Sequence, residues 1–173
     1  MKYAAAGSGT VVGGATFKNT KGALQIEAVE VKHWGRRWPS NVARGYNGYV
    51  LRREGRALLF AGDTALTPRF AELRSRGPFE VAIMPIGAYR PWIRNHCSPE
   101  EAFEMANAAR ARFIVPVHHQ TFRLSDEPLE EPSQRLTAAI EREPERLALG
   151  TSLAEVTTES VLLPGLIQTR QPE

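Results

Sequence analysis

Three side chains that could bind a metal ion each follow a short apolar segment of the sequence. They are His33, Asp63 and His118. Side chains at the ends of strands are held rigidly and can meet at one edge of a sheet, and imidazole and carboxylate groups suit zinc and iron. The pattern is compatible with a metal site, although the spacing alone is unspecific. Each residue taken alone is more typical of a polar loop, and Asp63 before Thr64 could also form an Asx turn.

Strands are needed to position these residues, and alternating apolar residues predict them. Residues 24–33 alternate with a change of face at Ala28-Val29, which predicts a strand ending at His33. Residues 49–52 and 56–60 flank Glu54-Gly55, and this predicts a hairpin whose second strand runs towards Asp63.

After Asp63 the predicted strands alternate with helices. Thr67-Pro68 predicts a helix start, and Ser98 with Glu101 forms a capping box that predicts another. Further elements are expected as buried strands at 81–86 and 113–117, a helix around Ser133–Glu141, and short strands near Leu147 and Val161. This alternation indicates an α/β fold with at least one sheet.

Four segments together carry a family resemblance. They are Val31–Arg37, Leu59–Thr64, Pro85–Tyr89 with Ser98–Ala102, and Pro116–Phe122. Their order and spacing resemble the metallo-β-lactamase superfamily, above all its N-acyl-phosphatidylethanolamine phospholipase D branch. The resemblance is dense from about residue 24 to 125 and thin from 126 to 163. It implies an α/β fold of the αββα sandwich type, of which this chain matches the C-terminal half.

The resemblance also implies a site with two zinc ions at one edge of the sandwich, with iron or manganese as alternatives. His33 matches the histidine that completes the ligands of the first metal, Asp63 the bridging carboxylate, and His118 a histidine of the second metal. A carboxylate between two cations holds them about 3.5–4 Å apart, so that an activated water can attack a phosphodiester or similar bond. His119 stands where the family usually has Trp.

Further residues are expected near the substrate. His96 matches a family histidine at the mouth of the site and is a candidate catalytic residue with Asp63, as a phosphate contact or proton donor. It is equally typical of a solvated loop histidine. Arg36, Arg37 and Tyr89 are the expected substrate-binding residues. Cys97 has no nucleophile arrangement around it and is interpreted as a small filling residue.

The sequence also departs from the family pattern. The main signature, His-x-His-x-Asp-His, is absent, and residues 1–32 contain no histidine. Each metal would keep two ligands at most, where catalytic zinc usually has three. The chain is also expected to expose an apolar sheet face. Two functions follow: a metal-dependent hydrolase of phosphodiesterase or phospholipase D type with an incomplete site, or a non-catalytic remnant or truncated chain that folds incompletely or pairs with another polypeptide.

Composition sets the remaining expectations. The 173 residues are 42% hydrophobic and 24% charged, which is typical of one globular domain. The predicted boundaries are a flexible glycine-rich lead-in at 1–22, a domain at 23–163 and a tail at 164–173. The single cysteine favours a reducing compartment, and so the cytoplasm. No apolar run is long enough to span a membrane.

Charge bears on the expected partners. Residues 1–60 hold 10 Lys/Arg against 3 Asp/Glu, and residues 61–173 hold 12 against 16. The basic part favours an anionic phosphodiester or phospholipid-like small molecule, or peripheral binding to a membrane surface, but is also typical of a solvated face. Interleaved arginines and aromatics at 34–49 could bind nucleic acid, which the acidic remainder and the lack of a motif disfavour. A second copy of the chain, or a polypeptide with the missing half, is the other partner considered.

Overall fold

The computed structural model describes residues 11–20, 22–34 and 45–143. Within these residues, six strands form one mixed sheet in sequence order: β1 (Val11–Asn19), β2 (Gly22–Glu30), β3 (Asn47–Arg53), β4 (Arg56–Phe60), β5 (Phe79–Pro85) and β6 (Ala111–Val117). The first four are antiparallel neighbours, whereas β4, β5 and β6 run parallel. The helices are α1 (Arg69–Glu72), which continues into a 3₁₀ turn, α2 (Pro99–Ala108) and α3 (Glu131–Arg142).

The parallel part of the sheet is built from the strands that the apolar runs predict. In one row across it, Leu59 pairs with Ala82 and Ala82 with Ile114. All three side chains are buried. One helical segment follows β4 and another follows β5, so the predicted alternation of strands and helices is confirmed. The predicted hairpin is also present, and its two turn residues, Glu54 and Gly55, both have positive φ angles, of 50° and 77°.

The three helices of the described part of the chain contribute to one core on a single face of the sheet. Their buried side chains belong to the same apolar cluster as those of the central strands. The largest helical members are Phe70, Phe103, Met105, Leu136 and Ile140. The layered arrangement therefore agrees with half of the αββα sandwich that the resemblance implies.

The start of the sheet corrects the expectation of a flexible lead-in at 1–22. Residues 11–19 are strand β1, in which Phe17 pairs with Leu24 and Ala15 with Ile26 of β2. Pairing with a neighbouring strand decides whether such a segment becomes a strand, and its glycines hide the alternation in the sequence. The sheet therefore begins earlier than the sequence indicates.

The expected change of face at Ala28-Val29 is also wrong. Strand β2 pairs with β3 in unbroken register from Gln25 to Glu30. The irregularity lies in β1 instead, between Val11 and Gly13, opposite Ala28 and Val29. The apolar residues of β2 simply serve both faces of the sheet, with Val29 buried on the helical side.

The helix starts agree in one case and differ in the other. At α2 the Ser98 hydroxyl accepts from the N–H of Glu101, and the Glu101 carboxylate accepts from the N–H of Ser98, so the capping box is confirmed. At α1 the capping position is Pro68, one residue later than expected. Thr67 still accepts from the N–H of Arg69, at 3.4 Å.

The second face of the sheet is apolar, and no described element covers it. Row by row it presents Ile26, Leu51, Leu58, Val81 and Phe113, and then Ala28, Tyr49, Phe60, Ile83 and Val115. All are partly exposed or exposed, and Tyr49 and Phe60 reach 38% and 36%. This is the open apolar face that the sequence predicts.

Several expectations concern residues outside the described part of the chain. These are Arg36 and Arg37, the strands near Leu147 and Val161, the domain end at 163 and the tail at 164–173. Within the described residues, no helix has both the length and the apolar character needed to cross a membrane.

Candidate functional site

Three loops bring the predicted ligands to one edge of the sheet. His33 lies three residues beyond β2, Asp63 three residues beyond β4, and His118 directly after β6. The Nε2 atom of His118 lies 3.8 Å from Oδ1 of Asp63. Two of the predicted metal ligands therefore face each other.

His96 connects His33 to this pair. The Nε2 atoms of His33 and His96 are 3.3 Å apart. The His96 ring also stacks on the ring of His118, with centroids 5.3 Å apart and an angle of 19° between the planes. The structure thus gathers all four residues, with His96 in the middle. The roles assigned to them by resemblance stay predictions.

His96 is the most buried member of this cluster, with only 6% of its surface exposed. Burial lowers its pKa below the usual range, and the neighbouring His33 acts in the same direction. Its Nδ1 atom is buried and has no hydrogen-bond partner among the described residues. The alternative of a solvated loop histidine is therefore wrong for His96.

His118 is held by a close approach of backbones. It has a positive φ of 63°, and a Cβ atom placed on Gly87 would lie 2.1 Å from the His118 carbonyl oxygen. Only glycine lets the two segments pack so closely. The Glu127 carboxylate secures the segment after Gly87 by accepting from the N–H groups of Ala88, at 2.5 Å, and Arg90, at 3.0 Å.

Tyr89 differs from the expected substrate-binding residue. Its side chain is buried, and its hydroxyl donates to Glu131 at 2.9 Å. The Arg135 guanidinium lies 4.8 Å from the ring centre. Burial and the neighbouring carboxylate raise the pKa of Tyr89 to about 12. The structure therefore gives Tyr89 a packing position beneath α3, and its resemblance to a family segment could not show this.

Cys97 fits the filling role expected of it. The side chain is fully buried, and its thiol donates to the carbonyl of Pro85 at 3.2 Å. Burial raises the pKa of the thiol to about 12. A thiol that stays protonated at neutral pH is a poor nucleophile.

Exposed aromatic rings form a wall beside the histidines. Trp34 and Trp92 meet edge to face with centroids 5.1 Å apart, and Trp34 also lies 6.1 Å from the ring of His96. The two tryptophans are 46% and 43% exposed. Trp92 carries no sequence signal that places it here, because it lies far from Trp34 along the chain.

The donor atoms are of the right kind for a transition metal, since imidazole nitrogen and carboxylate oxygen suit zinc and iron. They are gathered as two pairs, however, His33 with His96 and Asp63 with His118. Within residues 11–20, 22–34 and 45–143, no three His, Cys, Asp or Glu side chains are grouped closely enough to hold a metal ion. The described residues alone therefore do not make a complete metal site.

Comparison with known proteins places this chain in a family. A family model described as a beta-lactamase superfamily domain matches residues 8–119. This chain belongs to the metallo-β-lactamase superfamily. An uncharacterised protein of Mycobacterium tuberculosis is 34% identical over 125 residues, which cover 69% of this chain and 34% of that protein. The N-acyl-phosphatidylethanolamine-hydrolyzing phospholipase D 1 of Caenorhabditis elegans is 34% identical over 111 residues, covering 61% of this chain and 31% of that protein.

Solved structures agree on the superfamily fold. A metallo hydrolase from Ignicoccus hospitalis superposes with a TM-score of 0.51 at 24% identity, covering 67% of this chain and 46% of that one. Unliganded yeast PDE1 gives a TM-score of 0.52 at 13% identity, and the match covers 79% of this chain and 44% of PDE1. The chain spans about a third of the length of the curated relatives it matches.

Proposed function

We propose that this chain supplies one layer of a metal-dependent hydrolase that acts on an anionic phosphodiester, of the phosphodiesterase or phospholipase D type. The observation that carries the proposal is the cluster in which His96 contacts both His33 and His118, while His118 faces Asp63. Relatives named as a phospholipase D and as a metal-dependent hydrolase support the reaction class. Zinc is the proposed metal, with iron or manganese as alternatives.

Within this proposal His96 interacts with the substrate. Because burial lowers its pKa, the ring is neutral near pH 7 and can donate one N–H group while its other nitrogen accepts. A neutral imidazole can hydrogen-bond to a phosphate oxygen or pass a proton to a leaving group. The same ring packs on His118, which fixes its orientation.

A phospholipid-like substrate suits the surroundings of the cluster. The exposed rings of Trp34 and Trp92 offer an apolar wall next to His96. Amphipathic aromatic rings are favoured where one end of a ligand is apolar and the other is polar. A membrane surface is the proposed source of such a substrate. Arg36 and Arg37 are the proposed substrate-binding residues. The cytoplasm is the proposed compartment.

The test uses bis(p-nitrophenyl) phosphate and added Zn²⁺. Two donors per metal position hold zinc poorly, so the chain alone is expected to give little turnover and less than one bound zinc after dialysis. A polypeptide carrying the family's first metal-binding motif should raise both the turnover and the amount of bound zinc. Asp63→Asn should abolish the gain, whereas the matched variant Asp126→Asn, on an exposed loop, should keep it. Full turnover by the chain alone would contradict the ligand count, and no gain on complementation would contradict the proposed activity.

The open apolar face supports a second candidate, a chain that functions by pairing with another polypeptide. Six strands about 4.8 Å apart and about 20 Å long present roughly 500–600 Å², which is at the upper end for a patch on a monomer. A second β-sheet is the proposed occupant, because sheets pack face to face through such surfaces. Phe60→Lys on this face should reduce self-association or partner binding in sedimentation experiments, whereas Phe122→Lys, on an exposed loop, should not.

A further inference from the structure

Thr64 lies where three loops of the candidate site meet. Its side chain is fully buried, unlike that of its neighbour Asp63. The Thr64 hydroxyl accepts from the N–H of Lys32 at 3.1 Å and donates to the carbonyl of Ala65 at 2.8 Å. The Thr64 carbonyl accepts from the N–H of Cys97 at 2.7 Å. One residue thus bonds to the chain beside His33 and beside His96.

We propose that Thr64 is a positioning residue that sets the placement of His33 and His96 relative to Asp63. The inference rests on the proposed function, because it concerns the residues that the proposal places in the site. Lys32 precedes His33, and Cys97 follows His96, so each bond fixes the backbone one residue away from an imidazole. The contact between the two imidazoles, at 3.3 Å, depends on both loops.

A substitution at Thr64 can remove the side-chain hydrogen bond to Lys32 and leave the backbone hydrogen bond to Cys97 in place. Thr64→Val has nearly the same shape but lacks the hydroxyl, so Lys32 loses its acceptor while the carbonyl bond to Cys97 remains. Thr64→Ser keeps the hydroxyl and loses only a methyl group. Thr67→Val is the matched control, because Thr67 is also largely buried but its side chain bonds within its own loop, to Arg69.

The experiment follows the imidazole Cε1–Hε1 resonances of the metal-free protein by NMR, with amide hydrogen exchange on the same samples. Thr64→Val should shift the resonances of His33 and His96 and speed exchange of the Lys32 N–H by about tenfold or more, while the Cys97 N–H stays protected. Thr64→Ser and Thr67→Val should leave the two resonances in place. His119 serves as an internal reference.

Two results would overturn the inference. One is a folded Thr64→Val protein with a lower melting temperature and unmoved histidine resonances, which would make Thr64 a purely structural residue. The other is a shift of the same resonances in Thr64→Ser, which would assign the effect to the methyl group. That shift can be measured whether or not Thr64→Val folds. Neither measurement uses metal or substrate. Both therefore still test the role of Thr64 if the proposed hydrolase activity is absent.

Discussion

Gly87→Ala tests whether close backbone packing places His118. The new Cβ atom would lie 2.1 Å from the His118 carbonyl oxygen. Non-bonded carbon and oxygen atoms settle more than about 3 Å apart, so the two segments must separate by about 1 Å. The neighbouring bond from the N–H of Ile86 to the carbonyl of Val117, at 3.0 Å, resists that separation.

Both the stability and the site should change. Overpacking of this kind costs about 2 kcal/mol, which lowers the melting temperature of a domain of this size by roughly 4–8 °C. The displaced His118 should also lose its approach to Asp63, now 3.8 Å. Thermal unfolding followed by circular dichroism measures the first effect, and the His118 imidazole resonance measures the second.

Gly45→Ala is the control, because a Cβ atom at Gly45 meets nothing within 4 Å. It should change neither the melting temperature nor the His118 resonance. A Gly87→Ala protein with wild-type stability and an unmoved His118 resonance would refute the argument, since the clash would then be relieved without moving either segment.

Two further predictions concern buried groups. Glu127→Gln should lower the melting temperature and speed amide exchange at Ala88 or Arg90. The reason is that a single amide oxygen replaces a carboxylate whose two oxygens accept from the N–H groups of Ala88 and Arg90. The exposed control variant Glu104→Gln should change neither property. His96 should make the protein less stable as the pH falls below about 6.5, because its folded-state pKa is lowered and the unfolded chain binds the proton first. Urea unfolding from pH 8 to 5 measures this, and an unchanged pH dependence in His96→Gln would contradict it.

Local patterns in the sequence predict much of the fold. Some elements depend only on residues that are close together in the sequence, so they can be predicted without the structure. They are the apolar runs of β4, β5 and β6 and the capping box at Ser98. Strand β1 is not, because its glycines mask the alternation and only pairing with β2 makes it a strand.

The site is predictable only in part. The approach of Asp63 to His118 follows from strand ends that meet at one edge of the sheet. The roles of Thr64 and Glu127 have no local signal, because their hydrogen bonds join residues 32 and 39 positions apart. Tyr89 shows the opposite case, in which a family segment suggests substrate contact, whereas the contacts seen in the structure are with Glu131 and Arg135 of α3.

Within the described residues, the donor side chains are grouped only in pairs, and one apolar face of the sheet is uncovered. Under the proposed function, one further layer would supply what both features lack. Phe60 belongs to that face, and Asp63 follows it by three residues, which span at most about 10 Å of chain. A sheet that covered Phe60 would therefore be close enough to bring further ligands to Asp63. If one layer supplies the further ligands and also covers the apolar face, metal binding and burial of the face are linked. Each then stabilises the arrangement that the other needs. Metal should then strengthen binding of that layer, and the layer should strengthen binding of metal.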